Sequence, residues 1–258
     1  MIVLRSALFN ILFYGYTTLT VLRMTPSLLR RNADVRPGVR RWAEGVNWLL
    51  EHVVGITYEV RGHKHIPEGP ALLASKHQSA WDTITFHTFL ALPAYVMKKE
   101  LNNLPLYGRF TQMVGSIVVD RAAGAQAIKG LVRDCRAALA TGHQIVIFPE
   151  GTRTTPGKRY PYQPGIAALY RQLDVAVVPV ALNSGLFWGR HNFIKNPGRI
   201  VIEFMPPIAP GIDRRKFLVE LEEQIEAATA VLIAEATGDN SGDGSEDNSV
   251  DKRVDMSS

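Results

Sequence analysis

The chain has 258 residues, 46% of them hydrophobic, a formal charge of +5 and a mean hydropathy of −0.01. These values exclude a wholly disordered chain, a collagen-like repeat and a multispan membrane protein, and they suit one α/β domain of about 200 residues with appendages. Residues 238–258 hold six acids and two bases, a net of −4, so the other 237 residues carry +9 and point to an anionic partner: nucleic acid, a membrane surface or a phosphorylated substrate.

In chain order, Ser6–Leu22 is a 17-residue stretch without a formal charge, and the first 22 residues contain only Arg5. As a helix these span about 33 Å at 1.5 Å per residue, enough to cross a bilayer. Asn10, Thr17, Thr18 and Thr20 dilute the stretch, and Tyr14 and Tyr16 favour an interface, so a tilted span and an in-plane anchor both remain open. Arg23, Arg30, Arg31, Arg36, Arg40 and Arg41 follow it. If the helix spans, this asymmetry puts everything after it in the cytoplasm. The lack of a small-residue cleavage site argues against a signal peptide.

A second helix is expected over Gly38–Val54, with Trp42 and Trp48 suiting either an interface or ordinary packing. Seven short apolar runs then read as strands: Ile56–Arg61, Ala71–Ser75, Ala94–Met97, Ser116–Val119, Ile145–Phe148, Val175–Leu182 and Ile200–Phe204. Helical stretches near 80–91, 105–113, 124–141 and 165–173 alternate with them. The fold class expected is α/β: a single domain with a mostly buried mixed sheet flanked by helices, preceded by an N-terminal membrane-associated helical segment. Asp213 is placed to cap a last helix with Phe217, Leu218, Leu221, Ile225, Ala228 and Leu232 on one face, ended by Gly238. The Ser/Asp/Gly/Asn-rich tail beyond it reads as disordered. The expected division is 1–54 anchor, 55–237 catalytic domain and 238–258 acidic tail.

Three segments carry candidate chemistry. In Ser75–Thr83, His77 ends a strand and Asp82 follows five residues later. If the helix starts near Ser79, Asp82 can fold back onto His77, fix its tautomer and make it a general base. The same residues fit a capping pattern, Ser79-x-x-Asp82, in which Asp82 only stabilises the helix start. In Phe148–Thr154, Glu150, Gly151, Thr152 and Arg153 follow a strand and suit hydroxyl and phosphate recognition, or form a plain polar turn. In Gly115–Arg121 a strand ends in Asp-Arg, and Arg121 either grips a phosphate or pairs with Asp120. No G-x-S-x-G, Walker A or G-x-G-x-x-G motif occurs. His63 and His65 have no nearby Cys or His to complete a metal set, and the only cysteine, Cys135, reads as a small buried side chain.

Taken in order, these segments resemble the blocks of the glycerolipid acyltransferases, and within them the bacterial 1-acyl-sn-glycerol-3-phosphate acyltransferases. H-x4-D matches His77–Asp82; a glycine-led strand ending in Asp-Arg matches Gly115–Arg121; F-P-E-G-T-R matches Phe148–Arg153; an apolar strand with a central proline matches Val177–Leu182. Lys98-Lys99-Glu100-Leu101, with Pro105 and Gly108, resembles the link between the first two blocks. The likeness covers roughly residues 55–210. It implies that His77 takes the proton of the sn-2 hydroxyl of a lysophospholipid acceptor while Asp82 orients the imidazole. The oxygen then attacks the thioester of acyl-CoA or acyl carrier protein. Arg121, Glu150 and Gly151 would bind the acceptor's glycerol phosphate, with Thr152 and Arg153 beside them. No metal or other cofactor is implied, the expected partner surface is a membrane rather than nucleic acid, and the expected location is the inner (plasma) membrane with the catalytic domain on the cytoplasmic side. Two residues depart from the pattern. Lys76 stands where many members have Asn and is not expected to touch the dyad, and Tyr162-Gln163-Pro164 replaces a more basic run. Another lysolipid acceptor, such as a lyso-ornithine lipid, and a non-catalytic membrane-binding module are the alternatives.

Overall fold

The computed structural model describes residues 1–30, 33–104 and 106–238, so the acidic tail lies outside the described residues apart from Gly238. The described residues form one sheet from β1 (Ile56–Arg61), β2 (Ala71–Ser75), β3 (Pro93–Lys98), β4 (Ile117–Val119), β5 (Gln144–Ile147), β6 (Val177–Leu182) and β7 (Gly198–Phe204). The strand order is β1-β7-β6-β2-β5-β3-β4. The sheet is mixed, as expected: β6, β2, β5, β3 and β4 run parallel, whereas β7 is antiparallel to β6 and parallel to β1.

The central strands are continuous apolar runs because both faces of the sheet are covered. Side chains alternate between two cores. Leu73, Val146, Val178 and Val180 face one side with helices α1 (Ile2–Met24), α2 (Arg36–Leu49) and α3 (Asp82–Phe89). Leu72, Ile145, Val177 and Ala181 face the other with α6 (Ala125–Ala140), α7 (Pro164–Leu173) and α8 (Arg214–Thr237). Cys135 is fully buried in this second core, and burial pushes its thiol up to about 12. Two short helices, α4 (Lys99–Asn102) and α5 (Tyr107–Met113), link β3 to β4.

The last helix follows its sequence signals. Asp213 Oδ1 accepts hydrogen bonds from the backbone N–H groups of Arg215 and Lys216, at 2.8 and 3.3 Å. Gly238 closes the helix in the left-handed region at φ 71°, where a side chain is disfavoured. Phe217, Leu221, Ile225 and Leu232 form its buried stripe.

Helix α1 lies against the body along its length. Arg5 Nε donates to the Val53 carbonyl at 2.7 Å, Phe9 and Phe13 meet Trp188 edge-on, and Trp42 Nε1 donates to Thr17 Oγ1 at 3.1 Å. Only Ser6 and Phe9 of its 23 residues are buried, while Leu4, Leu8, Ile11, Leu12, Leu19 and Leu22 are exposed. Helix α2 runs on into a wider turn over Leu50–Val54 and ends at Gly55, φ 80°. Phe9, Ala43 and Val46 belong to the same core as the sheet.

Candidate active site

Because β2, β5, β3 and β4 are parallel neighbours, their C-terminal ends share one edge of the sheet, where open α/β folds place their sites. The segments after β2, β5 and β4 carry His77, Glu150–Arg153 and Arg121. The topology thus gathers three segments that are far apart in sequence.

Nδ1 of His77 lies 2.9 Å from Oδ2 of Asp82. A carboxylate only accepts, so Nδ1 carries the hydrogen and Nε2 is the free acceptor. The Asp82 side chain is fully buried, and 12% of the His77 side chain is exposed. Oδ2 also accepts from the backbone N–H groups of Gln78 and Ser79, at 2.7 and 2.8 Å, and Oδ1 accepts from the Ser184 hydroxyl at 2.6 Å. Asp82 is the first residue of α3, whose cap position, Trp81, makes no side-chain cap bond; Oδ2 instead ties the loop before the helix to His77 with one oxygen. The His77 ring stacks on Phe148 at 4.0 Å between centroids.

The main chain of His77 is held at both ends by the third motif, Phe148–Arg153, and the threonine that follows it. Its N–H donates to Glu150 Oε2 at 3.0 Å, and its carbonyl accepts from Thr154 N–H and Oγ1, at 2.7 and 3.0 Å. The Glu150 carboxylate therefore points into the protein rather than into the cavity that His77 lines. The family-implied contact between Glu150 and the acceptor is not what this geometry displays. The reason is a fully buried partner, Lys76, whose ammonium sits 2.6 Å from both Glu150 Oε1 and Glu226 Oε1. Tyr162 donates to Glu226 at 3.2 Å. Burial, reinforced by the Glu226 charge and opposed by Lys76, pushes the Glu150 carboxyl up to about 7. Burial likewise raises the Tyr162 phenol.

Arg121, Gly151, Thr152 and Arg153 line the same cavity as His77. Arg121 Nη1 donates to the Gly151 carbonyl at 2.9 Å, whereas Asp120 pairs with Lys99 at 2.8 Å, so Arg121 is not tied up by its neighbour. Gly151 has φ 68°, and a Cβ there would lie 2.7 Å from the Arg121 guanidinium. The left-handed backbone favours glycine, and a Cβ would push the flexible guanidinium aside. Arg190 and His191 also line the cavity, and Arg190 Nη1 donates to the Arg153 carbonyl at 3.3 Å. The cavity measures about 1260 Å³ and continues away from the cations between α1, α2 and α5, past Phe13, Val21, Trp42 and Phe110. His87 lines it too, and burial lowers its imidazole to about 4. The arrangement joins a base with a free nitrogen, a cationic rim and a long apolar recess.

Sequence reasoning missed Ser184, Thr154, Arg190 and the Lys76–Glu226 pair. Thr154 adjoins a motif and was within reach. Lys76 and Glu226 are 150 residues apart, and no local pattern joins them.

A family model described as Acyltransferase matches residues 57–183. The chain is 33% identical over 208 residues to a 1-acyl-sn-glycerol-3-phosphate acyltransferase of Pseudomonas aeruginosa, covering 81% of each chain. It is 30% identical over 166 residues to the protein of the same name from Limnanthes alba, covering 63% of this chain and 58% of that one. The crystal structure of the 1-acyl-sn-glycerophosphate (LPA) acyltransferase PlsC from Thermotoga maritima shares the fold, with a TM-score of 0.73 over 91% of this chain and 98% of that one, at 19% identity. The chain belongs to the acyltransferase family.

Proposed function

We propose that this enzyme transfers an acyl chain from an acyl thioester to the sn-2 hydroxyl of 1-acylglycerol 3-phosphate, giving phosphatidic acid. The observation that carries the reading is the His77–Asp82 pair, with Nδ1 committed to the carboxylate and Nε2 left to act at the cavity. His77 Nε2 takes the hydroxyl proton as the oxygen bonds to the thioester carbonyl carbon. The tetrahedral oxyanion then collapses, the C–S bond breaks, and the thiolate leaves with the proton returned by the imidazolium. Asp82, kept as an acceptor by four donors, stabilises that imidazolium. A thioester is already activated, so holding the two substrates in line supplies much of the remaining barrier reduction.

Arg121 and Arg153 supply the cations for the acceptor phosphate, with Gly151 and Thr152 beside it; Glu150 serves by holding the His77 peptide. The apolar recess accommodates an acyl chain. Helix α1 serves as an in-plane anchor in this reading. Its contacts with the body run from Arg5 to Thr17, and a span would drag the polar groups it touches into hydrocarbon. Its exposed leucines and isoleucines enter one leaflet, the arginines after it meet anionic headgroups, and the catalytic domain faces the cytoplasm. Residues 1–54 thus act as the anchor and 55–237 as the catalytic domain.

The test is direct. Purified protein is given lysophosphatidate with acyl-CoA or with acyl carrier protein, and phosphatidic acid and free fatty acid are both measured. Phosphatidic acid is the expected product with at least one donor. No transfer with either donor, or free fatty acid alone, overturns the reading.

A further inference from the structure

We propose that α8 is a working part of the transfer site, and that Glu226 on this helix is a positioning residue for His77, acting through Lys76 and Glu150. The inference rests on the assignment of His77 as the base. Glu226 lies outside residues 57–183, the segment that the family model matches.

The links are short, consecutive and dry. Glu226 Oε1 contacts the Lys76 ammonium at 2.6 Å, the ammonium contacts Glu150 Oε1 at 2.6 Å, and Glu150 Oε2 receives the His77 N–H at 3.0 Å. The three side chains are 5%, 1% and 0% exposed, so water cannot replace a lost partner. A buried charge without its partner is strongly unfavourable, and this confines each group to the position its neighbour dictates. Lys76 precedes His77 directly, and its own N–H donates to the Val180 carbonyl at 2.9 Å. The peptide that carries the base is therefore located by β6 through Lys76 N–H, by the third motif through Glu150, by Thr154 after it, and by α8 through Glu226. Tyr162, in the segment that departs from the family's basic run, donates to the same Glu226 oxygen, Oε1, at 3.2 Å. The two departures, Lys76 and Tyr162, thus meet at one carboxylate. An alternative, that the cluster only stabilises the fold, predicts loss of stability without loss of turnover per folded molecule.

The experiment compares Glu226→Gln and Tyr162→Phe with the wild type in steady-state kinetics normalised to the folded fraction. Melting temperature and a histidine-selective 1H–15N spectrum reporting the His77 ring are recorded alongside. Displacing a catalytic group by a fraction of an ångström is expected to lower kcat of Glu226→Gln about tenfold, with both KM values held within about twofold. The His77 ring signal should shift. Tyr162→Phe removes a single hydrogen bond and should move the same readouts less; it carries the test if Glu226→Gln does not fold. A folded variant with wild-type kcat and an unmoved His77 signal overturns the proposal, even where the melting temperature falls. Absence of transfer by the wild type overturns the substrate assignment instead, and the ring signal still decides the coupling.

Discussion

The Ser184 hydroxyl donates to Oδ1 of Asp82 at 2.6 Å, from the side of the carboxylate opposite the oxygen that holds His77. Ser184 is fully buried in the short turn after β6, so the strand with the central proline delivers a donor to the dyad. A buried hydrogen bond to a charged group contributes about 1.5–3 kcal/mol. Ser184→Ala is expected to lower both the melting temperature and kcat, whereas Ser184→Thr, which keeps the hydroxyl, should retain more of each. Thermal unfolding and acyl-transfer kinetics check this.

General-base catalysis contributes about 10²- to 10⁴-fold. His77→Ala should lose at least that much turnover per folded molecule, with some loss of stability because the fully buried Asp82 loses a partner. Asp82→Asn should lose turnover and stability together, since one oxygen now serves both His77 and the backbone of Gln78 and Ser79. A His77→Ala variant with near wild-type turnover would contradict the assignment.

Arg121 and Gly151 should separate binding from chemistry. Arg121→Ala is expected mainly to raise the acceptor KM, as removal of uniform binding does. Gly151→Ala meets both a left-handed backbone, disfavoured for a side chain by about 1–2 kcal/mol, and the guanidinium 2.7 Å away. It should displace Arg121 and reproduce the rise in acceptor KM, with added loss of stability. Titrating acceptor at saturating donor measures both.

Two buried groups give opposite dependences of stability on pH. Glu150, at about 7, lies above the ordinary carboxylate value. The folded state therefore holds a proton that the unfolded chain releases, and the contribution is full at low pH and lost as pH rises through about 7. His87, at about 4, lies below the ordinary imidazole value, so its contribution is present above about 6.5 and lost as pH falls through about 4. Between pH 5 and 6.5 the two slopes oppose each other. Glu150→Gln should expose a stability that falls as the solution is acidified, and His87→Gln one that falls as it is made alkaline, each by roughly 1 kcal/mol per pH unit. Urea unfolding across this range is the measurement.

Ile11 and Leu12 lie on the outer surface of α1, 70% and 38% exposed, and touch none of the dyad. Ile11→Glu with Leu12→Glu should reduce flotation with anionic vesicles while leaving the melting temperature near that of the wild type. Unchanged flotation would remove α1 from the anchor.

Much of the molecule is determined by local sequence. The central strands of the sheet are short apolar runs whose burial on both faces requires that composition, and α8 is bounded by Asp213 and Gly238 through contacts within a few residues. The pairing of His77 with Asp82 is also local, because a turn and one helix start bring them together. The tertiary structure decided what lies across the chain: the Arg121 contact with Gly151, the Ser184 donor, the docking of α1 along the body, and the inward turn of Glu150 toward Lys76 and Glu226. Glutamate in the third motif reads from sequence as a group for substrate. It turns inward toward a buried ammonium, Lys76, 74 residues earlier, which is itself held by Glu226 of α8, 150 residues beyond Lys76, so that each of the three groups leaves water with a partner.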